Sequence, residues 1–253
     1  MLLGMRELFR HTLRDEAARL DITLSSEQLD TLCAHYALLQ KWNPRIRLVG
    51  TTEPTRAARE LFADSLVAAR FAERVAATPH SKHLPRVLDI GSGAGLPGMI
   101  IKILQPQWSI TIIELQAKRV SFLKMLTHEL RVENAVVFHG RAEALAHEEG
   151  LREQFDVAFC RAVASPATAC ELAIPFVRVD GWFIGQMGEF RREGDVAGLR
   201  RAAAMLGSTI DVSMSYNLPG TVSPRSLIAF RKILPTSSSY PRSMRKMRKA
   251  PLF

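Results

Sequence analysis

The chain has 253 residues, 47% of them apolar, which is enough to bury one large α/β core with a small appendage and too apolar for wholesale disorder. Lysine and arginine total 34 against 25 aspartates and glutamates, and the formal charge of +9 suits either a polyanionic partner or a merely basic soluble protein. There is no run of 18 apolar residues to make a transmembrane helix, and the three cysteines (Cys33, Cys160 and Cys170) are scattered without metal-ligand spacing. The expectation is a cytoplasmic protein with no membrane and no metal, its thiols free and buried.

Residues 1 to about 80 read as helical. Ser25 and Gln28 have capping-box spacing ahead of an apolar face of Leu29, Leu32, Cys33, Tyr36 and Leu39. Asn43-Pro44 is expected to stop that helix. A second helix is expected from near Thr55 to Val75, with Ala58, Leu61, Phe62, Leu66 and Phe71 inward.

From Arg86 short apolar strands alternate with helices. Strands are expected at Arg86–Ile90, Ser109–Glu114, Ala135–His139, Phe155–Arg161, Gly181–Gln186, Thr209–Ser215 and Leu227–Lys232. Helices are expected between most of them, among them Gln116–Leu130 and Ser165–Phe176. Val87-Leu88 and Ile110–Ile113 read as buried on both faces, which suits a parallel sheet flanked by helices. The last connection holds Pro219-Gly220 and Pro224 and suits an antiparallel hairpin. The fold class is therefore α/β, a Rossmann-like, mostly parallel seven-stranded sheet of the class I methyltransferase kind. Residues 1–82 form a helical extension, 83–234 the main domain and 235–253 a basic tail, mobile unless RNA or the domain surface orders it.

The most informative segment is Arg86 to Gly98, a strand running into a glycine-rich turn and a helix. Two ligands compete for it. Gly93, Gly95 and Gly98 formally fit the GxGxxG of a nicotinamide dinucleotide site, but Pro97 sits inside that pattern. Asp89, Gly91, Gly93 and Gly95 satisfy DxGxGxG, the pattern for S-adenosylmethionine. Asp89 suits the cationic amino-acid moiety, directly or through water, and would be an awkward neighbour for a pyrophosphate. Glu114 ends the second strand, 23 residues after Gly91, where a carboxylate accepts from ribose hydroxyls of either cofactor. Glu143, in Arg141-Ala142-Glu143 after the third strand, is a candidate for the adenine edge or for a surface ion pair.

The resemblance then becomes specific. Leu88 to Gly98, with its Leu96-Pro97-Gly98 extension, resembles the bacterial small-subunit ribosomal RNA guanine-N7 methyltransferase family, historically called glucose-inhibited division protein B. Similar segments are Lys118 to Leu123, Gly140 to Glu143, Arg161 to Ser165, Trp42-Asn43, Asp64-Ser65, and Tyr240-Pro241-Arg242 with Pro251-Leu252. The likeness spans roughly residues 25 to 253. The chain departs from the family at Arg47-Leu48-Val49, where Asn-Leu-Thr is common, and at Leu61, where histidine is common.

The resemblance implies methyl transfer from S-adenosylmethionine to N7 of one guanine in 16S ribosomal RNA, near the decoding centre of the small subunit. It also implies cofactor contacts at Gly91, Leu96, Ala142, Glu143 and Arg161. Guanine N7 carries a lone pair and no proton, so no general base is expected, and no Ser/His/Asp or Cys/His constellation is found. Arg161, at the carboxyl edge after the fourth strand, is the expected positioning side chain at the reaction centre. Arg225 is a further candidate for substrate contact. In the tail, Arg242, Arg245, Lys246, Arg248 and Lys249 are candidates for the RNA backbone, with a solvated tail as the alternative. None of the seven histidines, His35 included, enters the mechanism. The rival functions are a nicotinamide-dependent oxidoreductase and a non-catalytic RNA-binding protein.

Overall fold

The computed structural model describes residues 2–76, 83–161, 165–188, 193–218 and 224–253. Ala162, Val163 and Ala164, His80, and Pro219-Gly220 of the last connection lie outside the described residues.

The chain opens with helices α1 (Leu2–Arg19), α2 (Ser26–Ile46), α3 (Pro54–Ala57) and α4 (Asp64–Ala76). The capping box forms as its spacing requires: Ser25 Oγ accepts from the Gln28 amide at 3.1 Å, and Gln28 Oε1 accepts from the Ser25 amide at 3.0 Å. Pro44 does not stop α2. It sits inside the last turn, and the helix ends at Ile46, capped by Arg47, whose backbone is left-handed (φ 47°) and whose amide donates to Asn43 O. The lost proline amide is tolerated there because only Arg45 and Ile46 of the helix follow it. The helix expected from Thr55 to Val75 is one continuous stretch, but a single π turn, Ala58–Ala63, joins α3 to α4. That wider turn rephases the helix. Asp64 and Ser65 follow it at once, and both are buried.

The remaining elements alternate: β1 (Arg86–Ile90), α5 (Gly98–Leu104), β2 (Ser109–Glu114), α6 (Ala117–Glu129), β3 (Ala135–His139), α7 (Ala142–Leu145), β4 (Phe155–Arg161), α8 (Pro166–Ala173), β5 (Val177–Gly188), α9 (Glu193–Met205), β6 (Ser208–Tyr216), β7 (Arg225–Lys232) and α10 (Met244–Lys249). All seven expected strands are present, β5 starting earlier than Gly181. The sheet order is β3-β2-β1-β4-β5-β7-β6. β1 pairs in parallel with β2 and β4, whereas β7 runs antiparallel to both β5 and β6. The antiparallel strand thus lies inside the sheet and leaves β6 at the edge. The order reverses beside β1, so a crevice opens between β1 and β4 at the carboxyl ends of the strands.

The helical extension is not a separate lobe. Phe9 stacks on Tyr36 with ring centroids 4.0 Å apart and meets Phe62 edge-on at 4.9 Å. This cluster is continuous with Val87, Met99, Ile100 and Phe122 on one face of the sheet. The other face packs on α8 and α9 and receives Met247 from the tail. The tail is ordered by that surface. Arg152 donates to the carbonyls of Thr236, Ser237 and Tyr240 at 2.8 to 3.0 Å, and Glu171 takes both Nε and Nη2 of Arg242 at 2.8 and 2.7 Å.

Candidate active site

The loop after β1 is built from glycines that no other residue replaces cheaply. Gly91, Gly93 and Gly95 all have positive φ (71°, 58° and 83°). At Gly95 a Cβ would also lie 2.9 Å from Met99 Cγ. Gly98 opens α5, and a Cβ there would lie 2.7 Å from Asp89 Oδ2.

Asp89 is what the loop folds around. Its Oδ2 accepts from Ser92 Oγ at 2.6 Å and from the Gly98 amide at 2.8 Å. Its Oδ1 is buried with no partner among the described residues. Burial pushes this carboxyl up to about 6, against the pull of the Ser92 and Gly98 hydrogen bonds and the Arg161 charge. Glu114, at the end of β2, accepts from the Gly93 amide at 3.1 Å and the Gln116 amide at 2.9 Å. It thereby ties the glycine loop to the next strand end.

One cavity of about 380 Å³ opens at this carboxyl edge. Of the residues expected at the cofactor, Gly91, Glu114, Ala142, Glu143 and Arg161 line it together. Asp89, Gly93, Gly95 and Leu96 do not; they are buried and support the wall from behind. The lining contains no histidine or cysteine among the described residues. Arg141 and Glu143 form the ion pair that was the alternative reading of Glu143, at 3.5 Å, yet Glu143 remains on the cavity wall.

Four features escaped the sequence reading. His35 is fully buried, and its Nε2 lies 2.8 Å from Ala94 O in the glycine loop. A carbonyl only accepts, so Nε2 carries the proton and the ring is neutral; burial pushes it down to about 4. Its helical spacing on α2 matched the apolar face and so looked structural. Arg119, in the first turn of α6, lines the cavity, and its Nε is buried without a partner among the described residues. Met244 and Arg248 reach the cavity from the tail.

The fourth is a cluster around Asp64. Its side chain is 1% exposed. Oδ2 receives Arg161 Nη1 at 3.1 Å and Arg225 Nη1 at 2.6 Å, and Oδ1 accepts from Tyr216 OH at 2.7 Å. Tyr216 OH in turn accepts from Gln186 Nε2 at 2.8 Å. Burial, then the Asp64 charge, pushes the Tyr216 hydroxyl far up, so it stays a donor. Arg161 and Arg225 remain 20% and 31% exposed, so each keeps a face toward solvent. One carboxylate is thus shared between two guanidiniums at the carboxyl ends of the strands. Arg225 is thus held beside Arg161, which the sequence did not foresee. Arg242, expected at RNA, instead has its guanidinium committed to Glu171. Arg245, Lys246 and Lys249 are exposed on α10, clear of the cavity.

The cavity suits an adenosyl group bearing an amino acid. The Glu114 carboxylate and the Gly91 backbone line one wall of it, and the unpartnered Asp89 Oδ1 lies buried behind the loop.

Comparison with known proteins agrees with this geometry. The fold is shared with a cofactor-bound protein from MTB (TM-score 0.55, 16% identity, covering 81% of this chain and 91% of that one). It is also shared with a protein of Bacillus halodurans C-125 described as a putative methyltransferase (TM-score 0.50, 11% identity, covering 66% and 100%). Sequence likeness is much closer. Proteins named ribosomal RNA small subunit methyltransferase G are 36% identical over 236 residues in Caldanaerobacter subterraneus subsp. tengcongensis, covering 93% of this chain and 95% of the relative. The protein of that name from Alkaliphilus metalliredigens is 32% identical over 240 residues, covering 95% and 97%. Residues 28–215 match the family described as rRNA small subunit methyltransferase G. With the glycine loop, the Glu114 wall and this match in agreement, the chain belongs to the rRNA small subunit methyltransferase G family.

Proposed function

We propose that the protein transfers the methyl group of S-adenosylmethionine to N7 of a guanine in 16S ribosomal RNA. The carrying observation is the Asp64-held pair Arg161 and Arg225, which stands beside a cavity fit for an adenosyl group. When bound, the cofactor supplies an electrophilic methyl on a sulfonium. The chain's own residues do the rest. Glu114 would accept from the ribose hydroxyls, Ala142 and Glu143 would meet the adenine, and Asp89 would favour the ammonium from behind the loop.

No residue needs to take a proton, because N7 has none to give. This suits a cavity lined without histidine or cysteine among the described residues. The task is orientation. Arg161, fixed by Asp64, is suited to donate to guanine O6 or to a phosphate, and Arg225 is suited to a neighbouring phosphate. Arg245, Lys246, Arg248 and Lys249 add positive charge within one short helix, and the excess over the whole chain is +9. No helix among the described residues is long and apolar enough to cross a membrane.

The test is tritiated methyl incorporation into naked 16S RNA and into small subunits that lack the modification, followed by mass-spectrometric mapping. Label on a guanine that becomes labile at N7 is the expected result. Label on another base, or on protein alone, would overturn it.

A further inference from the structure

The tail was read as a candidate for RNA contact, yet two of its residues face the cavity. Met244 and Arg248 lie one turn apart on α10 and complete a wall whose other members include Ala142, Glu143 and Leu172. We propose that the C-terminal helix is a built part of the cofactor site, closing its adenine end with the Met244 thioether and the Arg248 guanidinium.

The assignment to the adenine end follows from how the tail is anchored. His147, just past α7, has its Nε2 3.0 Å from Pro241 O. Arg152 Nη1 bonds Ala146 O at 3.0 Å and Tyr240 O at 2.9 Å, so one guanidinium ties the end of α7 to the tail. α7 itself begins with Ala142 and Glu143, the residues that follow β3. On the opposite side, Glu171 of α8 accepts from Nε and Nη2 of Arg242 and also from its backbone amide at 2.8 Å. Met247, fully buried between these anchors, fixes the rotation of α10. Met244 and Arg248 are then turned to the cavity, and Arg245, Lys246 and Lys249 to solvent. The glycine loop and Asp89, which serve the amino-acid end, take no part in these anchors. A polarizable thioether and a planar cation are what a purine face attracts. The tail is therefore divided by face, one for the cofactor and one for the RNA.

This rests on the methyltransferase reading, and calorimetry separates the two. The full-length protein, Met244→Ala, Arg248→Ala and the double variant are titrated with S-adenosylhomocysteine and with 5′-methylthioadenosine, which lacks the amino acid. Arg248 is exposed, so its loss leaves the thermal midpoint close to wild type, which is recorded in parallel. Each single variant should weaken both ligands about three- to fivefold, and the double variant roughly tenfold. Weakening of S-adenosylhomocysteine alone would assign Arg248 to the amino-acid carboxylate and overturn the proposal. Unchanged affinity for both, with weaker RNA binding, would overturn it in favour of an RNA contact. Failure of the wild type to bind S-adenosylhomocysteine would remove the methyltransferase reading and the proposal together.

Discussion

Asp64 and Arg161 lie 97 positions apart in sequence and meet at 3.1 Å. One comes from the helical extension, directly after a π turn; the other ends the fourth strand. The contact couples the extension to the carboxyl ends of the strands through a carboxylate that water does not reach.

Asp64→Asn should therefore separate binding from turnover. It keeps the shape but leaves Arg161 and Arg225 without a counter-charge. Stability should fall by about 2–3 kcal/mol, below the cost of a fully buried pair because both arginines are partly solvated. Asp64 does not line the cavity, but Arg161, which it holds, does, so S-adenosylhomocysteine affinity should fall far less than kcat/KM for RNA, which drops by about 100-fold or more. Calorimetry alongside methyl-transfer kinetics checks this; equal losses in both would refute the division of labour.

Cofactor affinity should depend on Asp89. Its carboxyl, raised to about 6, must be ionised to favour an ammonium, while Arg161 and Glu114 act on it in opposite directions. S-adenosylhomocysteine binding is expected to weaken as pH falls below about 6, approaching tenfold per pH unit at the steepest. Asp89→Asn should bind weakly at all pH values with a flat profile. A wild-type profile that stays level from pH 7 to 5 would contradict the role.

His35 should make itself felt in stability. The unfolded ring protonates near 6.5 and the folded one near 4, so the unfolded chain takes the proton first. The contribution of the neutral ring is full above 6.5 and declines as pH falls toward 4, by at most about 3 kcal/mol. Asp89 carries the opposite sign. Its folded form takes a proton near 6 and its unfolded form near 3.8, so its contribution is present below 3.8 and is lost as pH rises through about 6. The two offset each other between about pH 4 and 6. His35→Gln preserves a donor for Ala94 O and removes the titration. Chemical denaturation should show the wild type losing ground to this variant as the pH is lowered from 6.5 to 4.

The exposed face of α10 should carry salt-dependent RNA affinity. Replacing Arg245, Lys246 and Lys249 by alanine should lower the slope of log K against log salt by roughly 2 to 3 if each meets a phosphate. Cofactor affinity should hold. Filter binding across a salt series reads this directly, and an unaltered slope would leave α10 out of the RNA contact.

Much of this was legible before any fold was known. Strand periodicity is local, and a strand buried on both faces advertises itself by a run rich in β-branched apolar residues such as Ile110–Ile113, interrupted only by Thr111. The glycine loop is local as well, since positive φ at Gly91, Gly93 and Gly95 is a demand each residue meets by itself. Glu114, Ala142, Glu143 and Arg161 could be foreseen at one edge because a parallel sheet brings all its carboxyl ends together. Pro44 misled because a proline in a last turn forfeits little, a matter of where the helix ends rather than of composition.

What the sequence by itself determined, then, was the sheet and the glycine loop, because short stretches of chain encode these through backbone preference and side-chain alternation, and the likeness of its motifs to a family, which implied the methyl donor. Only the tertiary structure decided that Asp64 clasps Arg161 and Arg225, that His35 braces Ala94, and that Arg242 is committed to Glu171 while Arg248 lines the cavity at the strand ends. The physical reason is common to all of them. A charge or ring gains a role from the partner that displaces its water, and the partner arrives from a distant part of the chain.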